Sequence, residues 1–162
     1  SAIQLNSNVP EDVRSYFATI QNLWVYAWFA YDLYAVVDFL SFTAIEMALR
    51  KRLPTTGKDK RMLRTLLQEA IRQNLIKEKG FSHVRRMRQV QAQSLRIYRQ
   101  INKIHKSSVP KSDYRKILLE TLPSLRNMFA HPRGHTIQMP GQALFQLRLA
   151  AEFINQLFPA RK

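Results

Sequence analysis

The sequence contains no cysteine and only four glycines, and its 11 acidic residues are far outnumbered by 26 lysines and arginines. Without cysteine there can be no disulfide framework, no zinc site built on thiolates and no cysteine nucleophile. The imbalance of charge gives the chain a formal net charge of +15 at pH 7. A folded protein with such a surplus of cations is expected to bind polyanions, nucleic acid before acidic membranes.

Length and composition indicate one folded domain. Hydrophobic residues make up 46% of the 162 residues, which is too many for a disordered basic tail. The length suffices for one core and is too short for two ordinary domains. We therefore expect a single domain over residues 1–162. We also expect about the first nine residues to be disordered or foreign to the native chain, because Ser1 stands in place of methionine and suggests processing or part of a longer protein.

The apolar residues are spaced as in helices. No long segment alternates as a strand would, and apolar side chains instead recur at steps of three and four. This pattern predicts an all-α fold, a bundle of about five to six helices. We expect helices at about 10–21, 23–52, 59–78, 82–105, 113–131 with a kink or break at Pro123, and 141–157.

The most apolar segment, residues 23–49, is long enough to cross a bilayer. Asp32 and Asp38 near its middle and Glu46 near its end argue against this, since each would cost roughly 2.5–3.5 kcal/mol at a bilayer centre. We expect instead a long helix buried on most of its circumference, in the core or against a second copy of the protein. No signal peptide precedes it, so the expected location is the cytoplasm, with no membrane partner.

The basic residues are concentrated in two stretches. Residues 79–111 contain nine lysines and arginines and no carboxylate, and residues 50–64 contain seven against Asp59 alone. A charge run is often no more than a solvated face, but two runs with almost no counter-charge are typical of phosphate binding. The residues expected to bind RNA from these stretches are Arg50, Lys58, Lys60, Arg61, Arg85, Arg88 and Arg96.

The familiar catalytic motifs are missing. There is no phosphate-binding loop, no GxGxxG, no GxSxG and no HExxH, and the carboxylates are too few for a two-metal nuclease. His131 and His135 are four residues apart, but Pro132 and Gly134 lie between them and no carboxylate is near in sequence. We therefore expect neither a metal nor a cofactor.

One segment combines the residue types that RNA cleavage needs. Residues 125–132, LRNMFAHP, place Arg126, Asn127 and His131 on the last turns of a helix that ends at Pro132. At 100° per residue, Asn127 and His131 share a face one turn apart. Arg126 lies 140° round from His131, so it must reach back with its long side chain or act across a symmetric dimer that pairs two such helix ends.

These side chains suit cleavage by internal transfer. The ribose 2′-hydroxyl must lose a proton, the 5′-oxygen must gain one, and the negative charge that builds on the phosphate must be stabilised. Histidine, with an ordinary pKa of about 6.5, can act as base or acid. Arginine can hold two phosphate oxygens at once, and asparagine can position the hydroxyl or the imidazole. No metal is needed, and DNA would be spared because it lacks the hydroxyl.

The spacing Arg126-Asn127-x-x-x-His131 resembles the signature of the HEPN superfamily, the higher eukaryote and prokaryote nucleotide-binding domains, in which an Arg, a polar residue and a His close the third core helix of an α-helical bundle. Residues 42–53, FTAIEMALRKRL, resemble the end of the first long helix of that family. Residues 150–158, AAEFINQLF, resemble its last helix.

The resemblance implies a metal-independent endoribonuclease that cuts single-stranded RNA and leaves a 2′,3′-cyclic phosphate and a 5′-hydroxyl. Carried over by position, it implies that Arg126 and His131 are catalytic and that Asn127 supports them, in a groove formed by a homodimer. Many family members are toxins of toxin–antitoxin or other defence systems, so an antitoxin or regulatory protein is an expected partner. Other members only bind, which leaves a non-catalytic RNA- or protein-binding module as the alternative.

Two features depart from the family pattern. The long basic helix at 82–105 looks like an insertion, and Pro123 interrupts the helix that carries the motif. A double-stranded DNA binder that uses the basic helix in a groove is a weaker interpretation, because no helix-turn-helix spacing is evident.

Several residues allow two interpretations. Glu46 could complete the site or pair with a core arginine, and we expect the pairing. Arg133 and His135, just after the motif, are expected to contact the RNA. The aromatic residues of the apolar segment could stack on bases, but their helical spacing favours the core or a dimer interface. They are Trp24, Trp28, Tyr31 and Tyr34.

Overall fold

The computed structural model describes residues 3–53, 61–102, 113–131 and 139–160. This part of the chain forms six α-helices and one turn of 3-10 helix at Glu78–Gly80, without a strand. The α-helices are α1 (Glu11–Tyr26), α2 (Leu33–Arg52), α3 (Leu63–Arg72), α4 (Ser82–Asn102), α5 (Tyr114–Ala130) and α6 (Pro140–Leu157). The predicted all-α fold of five to six helices is confirmed. None of the helices described is both long and apolar enough to cross a membrane.

Helix α2 occupies the centre of the bundle. It packs against α1, α3, α5 and α6, and nine of its residues are buried. The ring of Phe42 stacks on Phe129 of α5, with ring centroids 6.0 Å apart. This aromatic contact fixes the C-terminal turns of α5 against the middle of α2.

The prediction of one helix over residues 23–52 is wrong. Residues 27–32 form a turn that separates α1 from α2, and the amide of Trp28 donates to the carbonyl of Val25 at 3.2 Å, three residues back. An unbroken helix of 30 residues would be about 45 Å long, too long for its ends to share one small core. The turn lets α1 and α2 pack against each other and bury their apolar sides together.

The turn also decides where the aromatic side chains lie. Tyr34 is fully buried, and Trp24 is half-buried and donates its Nε1–H to the carbonyl of Pro140 at 3.4 Å. Trp28 and Tyr31 are instead 64% and 49% exposed, because the turn carries them away from the core. Of the two expected places, the core thus takes Tyr34 and Trp24, and for Trp28 and Tyr31 a dimer interface stays a prediction.

Residues 3–9, which the sequence predicts to be disordered or foreign to the native chain, pack against the bundle. Val9 is buried, and Ile3 contacts the core. The backbone amide of Asn6 donates to Oδ1 of Asn155 at 2.7 Å, and its side-chain amide donates to the carbonyl of Phe158 at 3.0 Å. The end of α6 thus holds the beginning of the described chain.

Helix α3 is shorter than the predicted span of 59–78. It ends where Asn74 adopts the left-handed conformation, with φ 56°. The amide of Leu75 donates to the carbonyl of Ala70 at 3.0 Å, which closes the helix with a Schellman motif. Asparagine tolerates this backbone better than most residues, and the motif turns the chain toward α6.

Helix α4 leaves the bundle after its first turn. The amide of Ser82 donates to both carboxylate oxygens of Glu152 on α6, each at 3.1 Å, and Val84 is buried. Beyond that turn every residue of 85–101 is exposed except Leu95, which is half-buried. The predicted basic helix is therefore anchored only at its N-terminal end within the described residues.

Helix α5 continues through Pro123, where a kink or a break is predicted, so the structure contradicts the break. Asp113 caps its N-terminus by accepting a hydrogen bond from the amide of Arg115 at 3.1 Å. Pro123 lacks an amide hydrogen, so the carbonyl of Leu119 loses its usual helical partner. Packing against α2 and α3 holds the helix together through this position.

Candidate functional site

Glu46 of α2 lies between two arginines. Its Oε1 is 2.7 Å from Nη2 of Arg50, one turn later on the same helix, and its Oε2 is 3.7 Å from Nη2 of Arg126 on α5. The Glu46 side chain is only 18% exposed, and those of Arg50 and Arg126 about a third. Glu46 therefore pairs with arginines, as expected, and one of the two is the arginine of the motif.

The packing of α2 on α5 explains why these side chains meet. Phe42 is one turn before Glu46, and Phe129 is three residues after Arg126. The stacking of the two rings therefore places the turn that carries Glu46 opposite the turn that carries Arg126. Any change that removes this contact also loosens the position of the arginine.

The guanidinium of Arg126 is only partly satisfied. Its 3.7 Å separation from Glu46 is an ion pair, too long for a hydrogen bond. Its Nε is buried and has no hydrogen-bond partner in the part of the chain that the structure describes. Since a guanidinium carries five N–H donors, Arg126 retains donors for an anionic ligand.

Two cavities meet at this arginine pair. The first, of about 630 Å³, is lined by residues of α1, α2 and α5: Tyr16, Thr43, Glu46, Met47, Arg50, Lys51 and Arg126. The second, of about 580 Å³, lies toward α3 and shares Glu46, Arg50 and Arg126 with the first. Its other residues are Arg61, Met62, Leu63, Arg64, Leu119, Glu120, Pro123, Ser124 and Asn127.

The charge of the two cavities favours an anion. Their lining side chains include five cations, Arg50, Lys51, Arg61, Arg64 and Arg126, against two carboxylates. Each volume lies within the range of about 300–1,000 Å³ that is usual for small-molecule sites. The arrangement can hold a phosphate at the shared wall and a larger group on either side of it.

The structure places Asn127 at this site and His131 beyond it. Asn127 is exposed and lines the second cavity beside Arg126. His131 follows the last residue of α5, where its backbone amide donates to the carbonyl of Asn127 at 3.0 Å, and its side chain is exposed. His131 lines neither cavity, so within one copy the histidine stands at the helix end next to the site.

Two of the predicted RNA-binding residues belong to the site. Arg50 and Arg61 both line the second cavity, and Nη2 of Arg50 donates to the backbone carbonyl of Arg61 at 2.8 Å. This hydrogen bond ties α2 to the segment that leads into α3. Four other predicted residues, Lys58, Lys60, Arg133 and His135, lie outside the described residues.

The arginines of α4 lie away from the site. Arg88 pairs with Glu78, and Nη1 of Arg85 donates to the carbonyl of Lys79 at 2.6 Å, whereas Arg96 is exposed further along the helix. Glu78 also accepts the backbone amide of Tyr114, the first residue of α5, at 2.6 Å. That end of α5 is twelve residues, or about 18 Å, from Arg126.

Several lining residues were not identified from the sequence, among them Tyr16, Thr43 and Lys51. Tyr16 and Thr43 are uncharged and carry no motif, and Lys51, which pairs with Asp12 at 2.7 Å, belongs to a basic run without further distinction. Burial raises the pKa of Tyr16 above its usual value, and a hydrogen bond with Thr43 partly opposes this shift. Tyr16 lies beside Arg126 because α1 packs on α2, and Thr43 and Lys51 lie there because α2 packs on α5. No local pattern in the sequence predicts either packing.

The described residues contain no group of three or more histidine, aspartate and glutamate side chains placed as metal ligands. His135, which the sequence pairs with His131, is outside them.

Comparison of the chain with known protein families, with curated proteins and with solved structures finds no significant match.

Proposed function

We propose that this protein is a metal-independent endoribonuclease of the HEPN type, which cuts single-stranded RNA to give a 2′,3′-cyclic phosphate and a 5′-hydroxyl. The observation that supports this most is the position of Arg126. Its guanidinium has unused donors, is held by Glu46 at the meeting of two cavities, and is followed within five residues by Asn127 and His131.

Each side chain has a role in the proposed reaction. Arg126 holds the non-bridging oxygens of the scissile phosphate and offsets the charge that builds there. His131 moves protons: the 2′-oxygen loses its proton and forms a bond to phosphorus, while the bond from phosphorus to the 5′-oxygen breaks and that oxygen gains a proton. Asn127, whose backbone carbonyl accepts the amide of His131 at the end of α5, orients the imidazole or the 2′-hydroxyl.

A homodimer is part of this proposal. His131 stands at the exposed end of α5, one turn past the cavities, so a second copy docked there would bring two arginines and two histidines into one groove. The likeness to HEPN nucleases further suggests a toxin or defence effector restrained by an antitoxin or a regulatory protein. Light scattering of the purified protein tests the dimer directly.

The test of the activity is cleavage of end-labelled single-stranded RNA in excess EDTA by wild type, His131→Ala and Arg126→Ala. We expect wild type to produce cyclic-phosphate ends and each variant to be slower by about 10²–10⁴-fold, the usual contribution of one acid–base or charge-stabilising group. Arg148→Ala, an exposed arginine of α6 that lines neither cavity, is the matched control and should cut normally. Cleavage by His131→Ala at the wild-type rate would contradict the assignment.

The alternative is a module that binds RNA or a protein without cutting. It is favoured by helix α4, whose exposed arginines form a cationic surface at a distance from Arg126. Such a surface needs no catalytic group to bind a polyanion. RNA binding without cleavage by wild type, in the assay above, would support this alternative.

A further inference from the structure

We propose that the two cavities beside Arg126 hold the two nucleosides on either side of one phosphodiester, and that the first cavity takes a nucleobase and selects it. This inference rests on the proposed function, since it names the substrate contacts of the same site. It assigns a recognition role to Tyr16 and Thr43, which neither the motif nor the charge pattern indicates.

The residues that the two cavities share lie where a polynucleotide would have the phosphate between two nucleosides. Glu46, Arg50 and Arg126 line both cavities, so an anion bound at the arginines has one cavity on each side. A dinucleotide has the same order: a nucleoside, one negatively charged phosphodiester and a second nucleoside. The Arg126 side chain is 35% exposed, and its terminal nitrogens supply donors at this wall.

The two cavities differ in chemistry in a way that orients the ligand. In the first, the ring of Tyr16, the thioether of Met47 and the methyl group of Thr43 offer apolar contact suited to the flat face of a base. The second is also lined by the apolar side chains of Met62, Leu63, Leu119 and Pro123, but it adds Arg61, Arg64, Ser124 and Asn127, which suit ribose hydroxyls and a following phosphate. The first cavity is therefore the base pocket.

The base pocket also contains groups that can read a base edge. Oγ1 of Thr43 donates to the carbonyl of Phe39 at 3.1 Å, one turn back, so its oxygen accepts from the hydroxyl of Tyr16 and keeps a second lone pair for a base. The hydroxyl of Tyr16 is protonated at neutral pH, as an ordinary tyrosine with a pKa of 10.0 is, and burial raises its pKa further. Two hydroxyls at fixed positions distinguish bases by their donors and acceptors.

The experiment measures binding of dinucleoside monophosphates whose first sugar is 2′-deoxyribose, so that no cleavage occurs. Titration calorimetry of wild type with the sixteen base combinations should give saturable binding and a base preference at one of the two positions. Tyr16→Leu should weaken binding by about 5- to 150-fold, the loss expected for one base–aromatic stack, while Tyr16→Phe, which keeps the ring, should bind nearly as wild type. Thr43→Val should reduce the base preference.

Matched controls exist on helix α1. Tyr26→Leu removes a ring that is exposed and lines neither cavity. Thr19→Val removes a hydroxyl that makes the same bond as that of Thr43, to the carbonyl of Ser15 at 3.1 Å, outside both cavities. Both controls should bind as wild type, and circular dichroism should show that all variants fold.

The outcomes separate this inference from the proposed activity. No saturable binding, no base preference, or unchanged binding by folded Tyr16→Leu would overturn the base pocket even if RNA is cleaved. Binding that depends on Tyr16 together with no RNA cleavage would support the pocket and overturn the nuclease. Binding that depends on Tyr16 and cleavage that depends on His131 would support both.

Discussion

Helices α2 and α4 are almost the same length, 20 and 21 residues, yet their surroundings are opposite. Helix α2 buries nine residues among four neighbouring helices, whereas α4 buries Val84 and leaves nearly all the rest exposed. Four polar residues of α2, Thr43, Glu46, Arg50 and Lys51, line the candidate site. The central helix thus supplies both the core and the site, and the peripheral one supplies a surface.

Composition explains how α4 remains helical with so little burial. Twelve of its 21 residues are Ala, Leu, Met, Arg or Gln, all strong helix formers. Helix α2 has nearly the same share of strong helix formers, since 11 of its 20 residues are Ala, Leu, Met, Arg, Lys or Glu. Local propensity therefore supports both helices, burial stabilises α2 in addition, and three measurements test this difference.

The largest difference in the free energy of unfolding is expected when one apolar residue of each helix is truncated to alanine. Phe42 of α2 is 1% exposed and packs in the core beside Phe129. Ile101 of α4 is 72% exposed and packs in no core. Phe42→Ala should lower the free energy of unfolding by about 3–5 kcal/mol, and Ile101→Ala by less than about 0.5 kcal/mol. Urea denaturation measures both, and similar losses would mean that α4 is packed against something in solution.

A smaller effect on the free energy of unfolding is expected from the titration of Asp38, the buried carboxyl group of α2. Asp38 is 4% exposed, its Oδ1 has no hydrogen-bond partner among the described residues, and burial raises its pKa to about 7. The folded protein therefore holds a proton there that the unfolded chain, with an ordinary pKa of 3.8, releases. As pH rises from about 4 to 7, the free energy of unfolding should fall by an amount on the order of a few kcal/mol. Above about pH 7 this contribution should stay constant.

Comparison with Asp38→Asn isolates this contribution from other titrating groups. The difference in unfolding free energy between wild type and Asp38→Asn should shrink or change sign across the same pH interval. Parallel pH profiles for the two proteins would show that Asp38 does not titrate there.

The smallest effect on stability is expected from the arginines of α4. Replacing Arg85, Arg88 and Arg96 together by glutamine should change the free energy of unfolding by less than about 1 kcal/mol, since the side chains are exposed. The same change should weaken binding of single-stranded RNA and reduce the salt slope by about 2, for three lost phosphate contacts.

Replacement of the same three residues by lysine is the matched control. It keeps the charge and should largely restore the salt dependence of RNA binding. Unchanged affinity in the glutamine variant would show that α4 serves a different ligand.

Local signals in the sequence predict some parts of the fold well. Helices at 113–131 and 141–157 were expected, and α5 and α6 span Tyr114–Ala130 and Pro140–Leu157. Both begin at strong local signals, the Asp113 cap and the proline at the start of α6. Such boundaries depend on a few neighbouring atoms, so local reasoning is sufficient for them.

The turn at residues 27–32 and the early end of α3 could not be predicted in the same way. The apolar period continues through the turn, and only the energy gained when α1 packs against α2 favours a break there. Asn74 does not enforce a left-handed conformation by itself. Tertiary packing selects among several local structures that the sequence permits.

For the candidate site, the sequence by itself determined the residue types, the net positive charge and the positions of Arg126, Asn127 and His131 along one helix. Only the tertiary structure decided that Glu46 would hold Arg126, that Tyr16 and Thr43 would stand beside it, and that the arginines of α4 would lie elsewhere. The physical reason is that helical spacing relates residues within one helix, whereas a cavity is formed by side chains of several helices whose relative positions depend on the packing of the whole core.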